Sequence, residues 1–155
     1  MEFVRKGLGK FHCGDFTIVR PSGWKVSRDA IELIRPGHDY NFRADGDQLW
    51  LLDDEREVGY AQGSTSRWRL VVADRHFVLA QPKLGVNHSL LNERDSLVSE
   101  VGGGGFPLKI VELNRPAGLT EEQQVFVVAV ALLAWREADR SMMSRGGNSG
   151  IPAGP

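Results

Sequence analysis

The chain has 155 residues, enough for one domain with a proper hydrophobic core. Its 19 basic and 20 acidic residues leave a formal charge of −1, so no global field draws it to nucleic acid or to a membrane surface. The single Cys13 excludes an intramolecular disulfide and fits a reducing compartment.

The first residues, Met1, Glu2, Phe3, Val4, Arg5 and Lys6, lack the continuous apolar segment of a signal peptide, so the expected location is cytoplasmic. Phe16 to Val19 and Trp24 to Ser27 flank Pro21, Ser22 and Gly23 and read as a hairpin. In it Trp24 and Val26 point inward and Lys25 outward, with Arg20 and Arg28 nearby. Ile31 to Ile34 is a further strand, ended by Pro36 and Gly37. Tyr40 to Ala44 and Gln48 to Leu52 flank Asp45-Gly46, a two-residue type I′ turn signal. With Ala44 opposite Asp47, Phe42 faces Leu49 and Tyr40 faces Leu51 on the buried side, while Asn41 and Trp50 share the other.

A repeat occupies the middle of the chain. Glu55-Arg56, Asp74-Arg75 and Glu93-Arg94 recur every 19 residues, each between two strand-like segments. Successive hairpins at that spacing describe an up-and-down meander. If Trp68, Leu70 and Val72 point inward, Arg67 and Arg69 project together on the outside. The run Gly102 to Gly105 precedes Phe106 and Pro107 rather than a helix, so it reads as a flexible linker and not a phosphate loop. Leu108 to Leu113 is the last strand.

From Val125 to Trp135 the chain is apolar without a break. Thr120 and Gln123 have capping-box spacing, Glu121 and Glu122 suit a first turn, and Arg136 and Arg140 suit a last one. This predicts a helix over about 120–140, with no polar face in its middle. At 1.5 Å per residue the run spans only ~16 Å, too short for a bilayer core of ~30 Å, so no transmembrane segment is expected. An all-apolar helix that does not enter lipid needs protein on every side. About ten to twelve strands before it can supply that surrounding by closing on themselves, which also removes sheet edges. The predicted fold is mostly β: a closed antiparallel barrel around one C-terminal hydrophobic helix, a single domain over 1–140. Residues 141–155, rich in Gly, Pro and Ser, read as a disordered tail.

This pattern resembles the tubby C-terminal-like superfamily, in particular its LURP-one-related and phospholipid-scramblase-like branch, which includes small bacterial members. The resemblance rests on the segment Leu49 to Tyr60, on Trp68 to Val72 and on the helix from Leu119 to Asp139. It departs at the turn after Asp53, which lacks the glycine often found there, and no acylated cysteine cluster or calcium loop is present. The resemblance implies a roughly twelve-stranded barrel around the helix and, by fold analogy, contact with anionic phospholipid headgroups.

Chemistry is sparse. His12-Cys13 has no second cysteine to complete a zinc site, and His38, His76 and His88 fall at no ligand spacing, so no metal or cofactor is expected. No Gly-x-Ser-x-Gly elbow is present. Lys25, Arg67 and Arg69 are the candidate ligand-binding residues, because the guanidinium forks of arginine match phosphate and lysine adds a positive charge. The expected function is a non-enzymatic barrel that binds anionic lipid or a protein partner. The alternatives are a lipocalin-like carrier of a small molecule and a hydrolase without a recognisable motif.

Overall fold

The computed structural model describes residues 1–20, 27–64, 66–81, 87–105, 108–114 and 118–150, with side chains to 138 in the last segment. Alternating burial builds twelve strands from these residues. They are β1 Glu2–Arg5, β2 Lys10–Cys13, β3 Phe16–Val19, β4 Glu32–Ile34, β5 Tyr40–Asp45, β6 Gln48–Asp53, β7 Arg56–Ser64, β8 Arg67–Val72, β9 Arg75–Ala80, β10 His88–Leu91, β11 Leu97–Gly104 and β12 Ile110–Leu113. One helix follows, α1 Glu121–Gly150. The strands form one antiparallel sheet in the order β4-β3-β2-β1-β12-β11-β10-β9-β8-β7-β6-β5. The two outermost strands, β4 and β5, pack side by side, so the sheet is nearly closed into a barrel. Among the described residues no hydrogen-bonded ladder joins them.

The helix makes that closure worthwhile. Every side chain from Val125 to Ala134 is fully buried, on all faces of three helical turns. They meet the inward residues of the strands, among them Phe3, Phe11, Ile18, Leu49, Leu51, Trp68, Leu70 and Leu79. A glycine lets the helix come close: a Cβ on Gly59 would lie 2.4 Å from the Phe126 ring. A Cβ on Gly103 would lie 2.7 Å from Leu108, with Trp135 of the helix in ordinary contact at 3.5 Å. At the start of α1, Gln123 Oε1 accepts from the Thr120 amide at 2.9 Å and Thr120 Oγ1 from the Gln123 amide at 3.2 Å, the reciprocal capping box its sequence predicts. No helix of the described residues is long and apolar enough to cross a membrane.

Each 19-residue unit is a hairpin: β6–β7, β8–β9 and β10–β11. Within β7, Leu51 faces Gly59 and Leu52 faces Glu57, so Val58 is an extra residue in a bulge. The bulge turns both Val58 and Gly59 inward and keeps Tyr60 outside. Strand registers also give the barrel two distinct ends. One carries the β2–β3, β6–β7, β8–β9 and β10–β11 turns and receives the start of α1. We call it the entry end. The other, the exit end, carries the β1–β2 and β5–β6 turns.

Several local readings are corrected. The β5–β6 turn consists of Gly46 and Asp47, with Asp45 opposite Gln48, so Phe42 faces Leu51 instead of Leu49. Only Gly46 of the two takes positive φ, the glycine-first pattern of a II′ turn. The register moves by two, so the inward and outward faces are those expected. Gly102 to Gly104 are not a linker: they complete β11, paired with Glu112, Val111 and Ile110. On the side away from β2, β3 pairs with β4, and the strand expected at 24–27 falls mostly outside the described residues. Residues 21–26 lie outside the described residues, and Ser27 leads into a 3₁₀ turn at Arg28–Ala30. β1 and β2 have no counterpart in the sequence reading, and His12 and Cys13 belong to β2. The tail expected from Ser141 onward falls where side chains are not described; residues 151–155 lie wholly outside the described residues.

Candidate functional site

The inward-facing residues are committed to packing on α1, so the accessible chemistry lies on the outer face and at the two ends. On β8, Trp68, Leu70 and Val72 are buried, and Arg67 and Arg69 are exposed on the opposite side, as their spacing predicts. Arg67 Nη2 lies 3.7 Å from Asp95 Oδ1, a long pair between two well-exposed side chains and therefore worth little. Arg69 Nη2 reaches Gln62 Oε1 at 3.4 Å, and among the described residues no carboxylate pairs with it. Arg69 also borders a surface groove of about 560 Å³, shared with His76, Phe77, Val78, Asn92 and Glu93. Its lining mixes apolar Phe77 and Val78 with polar and charged side chains. Lys25, the third candidate, lies outside the described residues.

Arg28, expected near Lys25 on an outer face, does something else. Its Nε and Nη2 each donate to Glu137 of α1 at 2.8 Å, and its Nη1 donates to the Asp47 carbonyl at 2.9 Å. Its guanidinium lies 4.2 Å from the centre of the Trp68 ring. Arg28 therefore closes the exit end against the helix.

A matching cluster stands at the entry end, assembled from positions too far apart in sequence for any motif. Arg56 Nη2 donates to Glu122 Oε1 at 2.9 Å, to Oε2 at 3.0 Å and to Asp53 Oδ2 at 3.1 Å. Tyr40 donates its hydroxyl to Glu122 at 2.5 Å, and His38 Nδ1 lies 2.8 Å from Asp53 Oδ2. The His38 and Tyr40 rings stack with centroids 5.3 Å apart. Partial burial and then the bond to Glu122 push the Tyr40 hydroxyl up to about 12, so it stays a donor. The His38 contact, then the Asp39 amide and Arg56, holds Asp53 below the usual carboxylate range. Ligand atoms of His38, Asp53 and Glu122 lie within 4.8 Å of one another, a spacing that could suit a metal ion. A guanidinium nitrogen already bridges the two carboxylates, so the group reads better as a clamp on the helix start. Sequence reasoning assigned Glu122 only to capping and the helix dipole.

His88, in β10, is fully buried, edge-on to Trp135 at 4.9 Å between ring centres, and among the described residues neither ring nitrogen has a hydrogen-bond partner. Burial alone pushes its imidazole down to about 4. Comparison with family models, with curated proteins and with solved structures finds no match.

Proposed function

We propose that this barrel is a non-enzymatic binding module of the tubby-like kind that engages anionic phospholipid headgroups through its outer surface. The observation that carries this reading is the filled lumen. Ten consecutive helix residues are fully buried inside the sheet, which takes the space a lipocalin-like carrier would give to its ligand. Recognition then falls to the outside, where Arg67 and Arg69 stand on one face of β8 and Arg69 borders a surface groove. Guanidinium groups suit phosphate because they offer paired donors in a fixed plane.

The test is binding to vesicles of phosphatidylcholine with and without phosphatidylserine, for the wild type and for Arg67→Glu/Arg69→Glu. Binding should require the anionic lipid, weaken as salt rises, and fall in the double variant. Equal binding by the double variant would overturn the assignment of β8. A protein partner is the remaining outcome if neither vesicle is bound.

A further inference from the structure

We infer that the corner of the exit end formed by β1, β2 and β12 is a membrane-inserting contact, with Leu8 as the residue that enters the lipid. The inference rests on the lipid reading above, but it concerns a different face. Three exposed large hydrophobic side chains gather at this corner. Leu8, in the β1–β2 turn, is 84% exposed, and Val4 and Ile110, directly paired across β1 and β12, are 37% and 39% exposed. Around them stand Arg5, Lys6, Lys10 and Lys109, and among the described residues no carboxylate pairs with any of the four. The backbone holds the group together: the Arg5 amide donates to the Lys109 carbonyl at 2.7 Å, and the Lys6 amide to the Lys10 carbonyl at 2.9 Å.

The sequence matches this grouping. Residues 3–14 contain three Lys or Arg and no Asp or Glu, and residues 101–111 also lack acids, in a chain whose overall charge is −1. An apolar side chain at the tip of a turn, ringed by cations, fits an anionic bilayer. The leucine can enter the acyl boundary while the long basic side chains stay at the headgroups. A flat protein partner would leave so protruding a tip without a matching cavity. Asp45 and Asp47 are exposed at the same end of the barrel, but on the β5–β6 turn, around the barrel from this corner. Like-charge repulsion therefore tips that turn away from the bilayer and brings the basic corner down.

The full chain is tested on vesicles of phosphatidylcholine with phosphatidylserine, using Leu8→Ser and Lys6→Glu/Lys10→Glu. The substituted side chains are all exposed, in the β1–β2 turn and at the start of β2, and circular dichroism and melting should show an unchanged fold. Leu8→Ser should bind roughly tenfold more weakly while keeping its salt dependence, because most of one leucine's transfer to lipid is lost. Lys6→Glu/Lys10→Glu should lose most binding and most salt dependence. An environment-sensitive dye on the thiol of a Leu8→Cys/Cys13→Ser variant should shift to the blue on adding these vesicles and not on adding phosphatidylcholine alone. Wild-type binding that both variants retain in full would overturn this contact and leave the lipid reading standing. Failure of the wild type to bind would overturn both.

Discussion

Burial of His88 makes the barrel sensitive to acid. Above the ordinary value of 6.5 the imidazole is neutral in folded and unfolded chains alike, so it contributes no pH dependence there. Between 6.5 and about 4 the unfolded chain takes up a proton that the folded barrel refuses, so stability falls as pH drops. The loss amounts to roughly 3 kcal/mol across that window and levels off below it. Urea melts of wild type and His88→Leu at stepped pH should show a steeper fall for the wild type; parallel curves would rule out the assignment. A second prediction concerns Ala73, which lies at a φ of 55° in the β8–β9 turn beside Asp74 at 57°. Ala73→Gly should raise stability by about 0.5–1 kcal/mol in the same melts, since alanine is strained in that region. None of this was legible in the sequence. A histidine pointing inward from a short strand looks like any surface histidine until the register is known. Arg67 and Arg69 were legible, because alternation about three inward apolar residues fixes their side of the sheet.

At the scale of the element, α1 was the most legible part of the chain. Its all-apolar run could be satisfied only by protein on every side, and its capping box named its start. What holds it along its axis was not legible. An apolar helix in an apolar lumen has no register of its own, and here Glu122 and Glu137 are gripped near the two ends of the run by Arg56 and Arg28. Those partners lie in the β6–β7 hairpin and in the 3₁₀ turn, so no local motif links them to the helix. Arg28→Ala should lower stability by about 2–3 kcal/mol, because it leaves the partly buried Glu137 carboxylate without its guanidinium. Leu132→Asp should abolish folding, since an unpaired carboxylate at a fully buried site costs several kcal/mol. A soluble Leu132→Asp variant with a cooperative melt would contradict the threaded helix. The hairpins were readable where turn residues punctuate them. The strands β1 and β2 were missed because each is short and joined through glycines.

For the molecule as a whole, a filled barrel makes the interior structural, and the proposed lipid contact falls to the exterior. Charge reversal at Arg67 and Arg69 should therefore leave the melting temperature nearly unchanged, exposed pairs being worth only ~0–1 kcal/mol. A large drop would place those side chains in the fold's own support. The most direct measurement of the account is hydrogen–deuterium exchange, read peptide by peptide, with and without phosphatidylserine vesicles. The amides of 125–135 should be among the slowest in the protein and stay so when vesicles are added, because they open only with the whole barrel. New protection should fall on β8 and on the β1–β2 turn. Rapid exchange across 125–135, or protection that vesicles change there and not on the outer strands, would contradict a barrel sealed by its own helix.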